Sequence, residues 1–262
     1  MIWIICYLIT FLACILGTIC GMGGGIIIKP VLDAAGVMSV SAITFLSGCT
    51  VIAMACWSVG KSFLKKESQL EVRSTSILAV GAAAGGLLGK QLYTMTAGLF
   101  ADQNTAGGVQ AALLLAATFA TLIYTLRKDR SPSRQVSSSF LTLVIGLVLG
   151  MLGAFLGIGG GPFNVAVLCC FFSMPTKQAT QNSLLIVLFS QLASTLKTAL
   201  FDGIPSFDLA VLLGMMLLGI AGSEMGRKIN QKIDNRQATL CLVGAMVLIM
   251  AISAFNIVKF FG

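Results

Sequence analysis

The sequence contains no histidine and little charge: 10% of its 262 residues are Asp, Glu, Lys or Arg. Without histidine, zinc and haem lose a principal ligand. The eight cysteines do not replace it. Cys6, Cys14, Cys20, Cys49, Cys56, Cys169, Cys170 and Cys241 lie in apolar stretches, and none forms a Cys-x-x-Cys pair. They read as small packing residues, and no metal or other cofactor is expected. No GxxxxGK[ST] motif occurs, so P-loop ATP hydrolysis is not expected. No long polar region exists to carry a nucleic-acid site. The apolar runs hold no constellation of acid, base and nucleophile, which argues against a membrane-embedded enzyme. The alternating ten-residue pattern of a β-barrel is also missing. The opening Met1-Ile2-Trp3-Ile4 lacks the basic start of a signal peptide and is read as part of the folded protein.

What the chain has is apolar surface. Hydrophobic residues make up 57% of it, and the mean hydropathy is +0.96. Long apolar runs cover 1–20, 41–60, 75–89, 107–126, 139–157, 178–196, 207–226 and 238–258. Each is close to the ~20 residues that cross hydrocarbon as a helix. The expected class is an all-α polytopic membrane protein with about eight long spans.

Two stretches interrupt this pattern in the same way: "GMGGG" at 21–25 and "GIGGG" at 157–161. The match extends beyond them. Gly17, Gly21 and Gly25 recur 136 residues later as Gly153, Gly157 and Gly161, Thr44 recurs as Thr180, Ser47 as Ser183 and Lys61 as Lys197. After one inserted residue, "AGGLLGK" (84–90) aligns with "AGSEMGR" (221–227). This order implies a tandem duplication: a first transmembrane repeat at 1–130 and a second at 131–262, joined through the basic stretch 127–138.

Charge sets the topology. Twelve of the 17 Lys and Arg fall in three groups: Lys61, Lys65, Lys66 and Arg73; Arg127, Lys128, Arg130 and Arg134; and Arg227, Lys228, Lys232 and Arg236. The positive-inside rule puts all three in the cytoplasm of a cell-membrane protein. Three long runs separate the second and third groups, an odd number, so one further crossing is needed. The candidate is the short apolar piece 162–174, with 26–36 as its counterpart. Thirteen residues rise only ~20 Å as a helix, leaving the glycine motif to supply the rest. Each half then crosses five times, which predicts a 5+5 inverted repeat with two short broken helices. The rival arrangement is a re-entrant piece that dips and returns.

Irregular backbone at membrane depth must be buried in protein or line a wet cavity. A helix N-terminus there presents free N–H groups and suits an anion. Gly23, Gly24 and Gly25, with Gly159, Gly160 and Gly161, are therefore candidate substrate-binding residues. The same four-residue spacing of Gly17, Gly21 and Gly25 also describes a packing seam. Downstream, Ser47, Asn182, Ser183 and Gln191 are candidate side-chain donors, or interhelical glue. Lys29 follows the first break by one turn and either meets the anion or pairs with Asp33. Lys197, far along its helix, would attract anions into a vestibule. Glu224 precedes Arg227 by one turn and is either its ion-pair partner or a coupling carboxylate. Gly81, Gly85 and Gly89, and their counterparts Gly222 and Gly226, are assigned to helix packing.

The duplicated arrangement of G-x-GGG, a short helix, the link "SMPTKQAT" and the serine-bearing "NSLLIVL" resembles the TauE/SafE family of bacterial permeases. The resemblance covers essentially the whole chain and is clearest from Gly153 to Gly226. The first half departs from it, with Lys29 inside its short helix and "FLSG" (45–48) in place of "QNSL". The resemblance implies a transporter of small anions such as sulfite, sulfoacetate and other organosulfur compounds. The expected partners are a small anionic substrate and the lipid bilayer. A passive anion channel and a non-transporting membrane subunit remain the alternatives.

Overall fold

The computed structural model describes residues 2–64, 71–98, 103–127, 136 and 138–261. Lys65, Lys66, Lys128, Arg130 and Arg134 lie outside the described residues, as does the boundary between 130 and 131. Among the described residues there are ten α-helices and no strand: α1 (Ile2–Cys20), α2 (Gly25–Ala35), α3 (Val40–Leu64), α4 (Val72–Ala97), α5 (Gln103–Arg127), α6 (Ser139–Phe155), α7 (Pro162–Phe172), α8 (Thr176–Lys197), α9 (Leu209–Lys232) and α10 (Asn235–Phe261). A π-helical turn, Thr198–Asp202, extends α8.

Local sequence accounts for the helix ends. Asp208 caps α9 by accepting from the Ala210 N–H at 2.9 Å. Asp234 and Gln237 form a reciprocal capping box ahead of α10, at 2.7 and 3.1 Å. Helix α2 stops at Gly36, in the left-handed region at φ 64°, whose N–H reaches the Leu32 and Asp33 carbonyls. Helix α7 begins with Pro162 at its first position and ends at Ser173, also left-handed.

Among the described residues six helices, α1, α3, α5, α8, α9 and α10, are long and apolar enough to cross a membrane. Of the eight long runs expected, α4 and α6 fall short of that standard. Helix α6 has only 17 residues, and α4, though 26 residues long, is diluted by Gly, Ala and Thr. Both are shaped by their contact with each other. A Cβ on Gly89 would lie 2.9 Å from the Met151 backbone, and one on Gly150 would lie 2.6 Å from Ala82 Cα. The register rises together on both helices, so they run parallel with backbones touching. Helices α9 and α1 do the same: a Cβ on Gly222 would lie 2.5 Å from the Phe11 carbonyl oxygen, and one on Gly226 2.5 Å from that of Ile15. The seams assigned to packing are packing seams.

The burial pattern is inverted relative to a water-soluble domain. Phe140, Leu217, Phe255 and Val258 are exposed, while Lys29, Asp33, Asn164, Asn182, Ser183 and Gln191 are buried. An apolar exterior around a partly polar interior is what a lipid-facing bundle requires.

Helix ends that carry described residues of the basic groups gather at one end of the bundle. Lys61 at the end of α3 lies 3.6 Å from Glu224 near the end of α9. Lys177, at the start of α8, donates to the Gln231 and Ile233 carbonyls at the end of α9. Glu71, just before α4, bonds through its N–H to Asn182 near the start of α8. Val136, ahead of α6, donates to the Phe171 carbonyl at the end of α7. The opposite end holds the end of α2, where Lys259 of α10 donates to the Asp33 and Ala34 carbonyls.

Candidate functional site

The two glycine motifs share one backbone design. Gly21 and Gly23 take φ 67° and 72°, and Gly157 and Gly159 take 70° and 72°. Two left-handed residues separated by one other turn the chain back over the helix it has just left. Glycine adopts this conformation without a Cβ penalty. The turn is closed the same way in both halves: the Met22 N–H donates to the Gly17 carbonyl at 2.9 Å, and the Ile158 N–H to the Gly153 carbonyl at 3.0 Å. A Cβ at Gly17 would lie 2.6 Å from Gly23 C, and one at Gly153 2.7 Å from Gly159 C. Gly17 and Gly153 are therefore needed beneath the returning loop, not in a helix–helix seam.

The breaks meet each other. A Cβ on Gly25 would lie 3.2 Å from the Ile158 carbonyl oxygen, and one on Gly161 3.1 Å from Ile26 Cδ1. One face of α8 runs past both. Thr180 abuts Gly21, Val187 lies against Gly23 and Gly160, and Gln191 lies against Gly159. From Thr180 to Val187 is about 10 Å along the helix. The first break thus climbs from the basic end toward the middle of α8 before α2 begins. Thr44 of α3 meets Gly157 as Thr180 meets Gly21.

The six candidate glycines are not equivalent as donors. The Gly24 N–H is taken by Met54 Sδ at 3.2 Å, and the Gly159 N–H by the Gly153 carbonyl at 3.0 Å. Among the described residues, the N–H groups of Gly23, Gly160 and Gly161, which lie outside the helices, have no such partner. The side chains divide as well. The Ser183 hydroxyl, fully buried, makes no hydrogen bond, and neither does Gln191 Oε1. Gln191 Nε2 donates only to Thr195, at 3.3 Å. Ser47 is buried but already donates to the Thr44 carbonyl at 3.0 Å. Asn182 holds α4: its Oδ1 accepts from the Glu71 N–H and the Thr75 hydroxyl, and its Nδ2 donates to the Gln178 carbonyl.

Asn164 joins the site without having been expected there. It is fully buried, neither its Oδ1 nor its Nδ2 is bonded, and a Cβ on Gly160 would lie 2.7 Å from Nδ2. Its signal was visible: it is the sole polar residue of "PFNVAVLCCFF", three positions after the last glycine.

The remaining candidates are engaged elsewhere. Lys29 is buried and paired, with Nζ 3.0 Å from Asp33 Oδ2 and 3.0 Å from Gln110 Oε1. Its stem still reaches the second break, since Cε would lie 3.0 Å from a Cβ on Gly157. Lys197 pairs with Asp202 at 3.4 Å, brought back by the π-helical turn. Glu224 accepts from Trp57 Nε1 at 2.9 Å and from Arg227 at 3.0 Å, joining α3 to α9.

A cavity of about 360 Å3 opens at the basic end, lined by Thr18, Ser58, Gln181, Leu184 and Arg227 among others. Thr18 lies one turn before Gly21, and Leu184 directly follows Ser183. The cavity therefore approaches the break region from that side. Among the described residues no group of His, Cys, Asp and Glu could hold a metal ion.

Residues 6–254 match the family model described as "Sulfite exporter TauE/SafE". The chain is also similar to a curated Bacillus subtilis (strain 168) protein named "Probable membrane transporter protein YunE", at 23% identity over 95% of this chain and 96% of the relative. No solved structure matches the chain.

Proposed function

We propose, from the premise that this chain belongs to the sulfite exporter TauE/SafE family of membrane proteins, that it is a secondary transporter of a small sulfur-containing oxyanion such as sulfite or a sulfonate. The observation that carries this reading is the second break. Asn164 and Gln191 are buried there with unpaired polar atoms, beside the N–H groups of Gly160 and Gly161, and Ser183, also buried and unpaired, lies one turn before Val187, which touches both breaks. Orphaned buried polar groups are costly and call for a partner. Three of these donor groups are the two backbone N–H groups and a hydroxyl, and Asn164 Nδ2 is a fourth. They suit an oxyanion, which accepts hydrogen bonds from each of them.

The scaffold we propose is a 5+5 inverted repeat, residues 1–130 and 131–262, rocking to give alternating access. Exchange of packing partners supports it: α4 packs on α6 and α8, and α9 packs on α1 and α3. So do the matched closures at Gly17 and Gly153. In this scheme the short helices complete their crossings together with the glycine turns that precede them. Positive-inside bias places the basic end in the cytoplasm, so the cavity lined by Arg227 is the cytoplasmic vestibule of a cell-membrane transporter. Gly23 and Gly25 contribute N–H groups from the first break, and Lys197 sits at the outer end.

Purified protein in proteoliposomes tests the reading. Labelled sulfite should exchange with internal sulfite, accumulate under a gradient of pH or voltage, and be competed by sulfonates. Flux that only dissipates a gradient marks a channel. No flux of sulfite, thiosulfate or sulfonates overturns the proposal.

A further inference from the structure

A second polar cluster lies beside the breaks, on the first half alone. Lys29, Asp33 and Gln110 form a chain: Lys29 Nζ bonds to Asp33 Oδ2 and Gln110 Oε1, and Gln110 Nε2 donates to the Phe155 carbonyl at 2.6 Å. Lys29 and Asp33 are 4% and 6% exposed. The corresponding residues of the second half are Val165 and Cys169, so the duplicated scaffold does not require the pair. A buried ion pair is weak evidence for stability, because desolvation offsets the attraction. Ionisable groups at membrane depth are functional by default.

Three oxygens around this pair are unsatisfied: Asp33 Oδ1, Ser253 Oγ and Asn256 Oδ1. All three residues line one cavity of about 10 Å3, together with Lys29, Gln110 and Ile158 of the second break. That volume is at the lower limit for a single water. Asn256 Nδ2 is occupied by the Pro30 carbonyl. The three oxygens therefore share one hydrogen to donate, on Ser253, and two acceptors. One added proton supplies the missing donor.

We infer that the Lys29–Asp33–Gln110 cluster is a proton-binding site that couples proton movement to anion movement, an inference resting on the transport reading above. A proton adds to the Asp33 carboxylate, which becomes neutral. Lys29 keeps its charge and loses its counter-ion. Its stem already lies along Gly157, so the freed ammonium takes the negative charge of an anion at the breaks. The lysine–aspartate pair sums to zero charge. Lysine, protonated aspartate and a monovalent anion also sum to zero. One proton and one anion thus travel together, in the direction their gradients set. Other charges face the pair. Lys259 of α10 sits on the Asp33 and Ala34 carbonyls. Tyr93 and Lys90 of α4 feel Asp33 and Lys29 electrostatically. Helix α1 carries no charged residue but offers Tyr7, Cys6, Cys14 and Cys20, and α3 carries Lys61 at its far end with Cys49 and Cys56.

The test compares sulfite counterflow at equal pH with sulfite accumulation driven by a pH gradient, in full-length protein. Wild type should show both, and Asp33→Asn, which mimics the protonated carboxyl, should lose about tenfold or more of driven accumulation while exchange persists and no longer varies with pH. Asp33→Glu should restore the gradient response. If Asp33→Asn leaves Lys29 unpaired and the protein unfolds, the neutral pair Lys29→Gln with Asp33→Asn is measured for driven accumulation, which should also vanish. Wild-type exchange that ignores a pH gradient, or follows a sodium gradient, overturns the inference and leaves the transport reading standing. Driven accumulation in either variant at the wild-type level overturns it too. Absence of exchange in the wild type for every anion tried overturns the transport reading, and this inference with it.

Discussion

The two glycine breaks have nearly the same backbone and different chemistry. Each uses left-handed glycines at its first and third positions and closes on a glycine four residues upstream. Against the second break stand Asn164 and Gln191, and one turn before Val187, where the two breaks meet α8, stands Ser183; all three have unpaired polar atoms. The corresponding positions of the first half are Ile28, Ser47 and Ala55, of which only Ser47 is polar, and it is already bonded. The first half has the Lys29–Asp33 pair instead. A duplicated frame fixes where the breaks sit, while the side chains planted around each are free to specialise. On this view the second half supplies the side-chain donors and the first half the coupling pair.

The sharpest way to break that comparison is to exchange the short-helix residues. Asn164→Leu is expected to cut sulfite flux about a hundredfold, the effect of removing a preorganised donor in a water-excluded site. Ile28→Asn, at the mirrored position, should not supply the loss when combined with it. Flux per folded transporter is the measurement, and equal flux in Asn164→Leu and wild type would remove the second break from binding. Next in size is a stability effect that should be alike in both halves. Gly17→Ala and Gly153→Ala each push a methyl into backbone at 2.6 and 2.7 Å. Each should cost about 3 kcal/mol, at the upper end for overpacking. Thermal unfolding in detergent checks this, and a large loss in only one variant would show that the closures are not equivalent. Smaller again is Ser183→Ala, expected to reduce flux about tenfold, as losing one hydrogen bond to a charged ligand does. Ser47→Ala should change flux by no more than about twofold, because its hydroxyl serves its own helix.

Much of this was legible from residue spacing. The short helices predicted over 26–36 and 162–174 appear as Gly25–Ala35 and Pro162–Phe172, because a glycine run and a left-handed stop bracket each locally. The Gly81/85/89 seam was legible because helix periodicity puts those residues on one line. Contacts between distant segments were not. Asn182 reads as a donor for the anion until its amide is seen to be held, Oδ1 by Glu71 and Thr75, 111 and 107 residues away, and Nδ2 by the Gln178 carbonyl. Gly17 and Gly153 have the spacing of a seam, and only the returning chain shows that they lie under a turn. Gln110, the third member of the Lys29 cluster, comes from α5 and has no local pattern at all. Asn164 was visible, but a single amide in a short apolar helix carries weight only once it is known to be unpaired.

The least effect is expected at Glu224, and it sharpens the comparison from the other side. Glu224 and Asp33 are both carboxylates near lysine or arginine, and the sequence singles out only Glu224 as a candidate coupling carboxylate. Their surroundings differ. Glu224 lies at the basic end, about one-fifth exposed by its side chain, with Lys61, Arg227 and Lys228 within 4.0 Å. Trp57 occupies its second oxygen. A carboxylate held by three cations and an indole N–H keeps its charge across a transport cycle, and a partly exposed cluster of this kind contributes modestly to stability. Glu224→Gln keeps an acceptor for Trp57 and removes the charge. It should cost about 1 kcal/mol or less and leave the response of sulfite accumulation to a pH gradient intact. The same assay that reads Asp33→Asn reads this variant. A lost response in Glu224→Gln with a preserved one in Asp33→Asn would move coupling from the first break to the α3–α9 contact. The specialised half would then be set by the vestibule, not by the lysine beside the glycines.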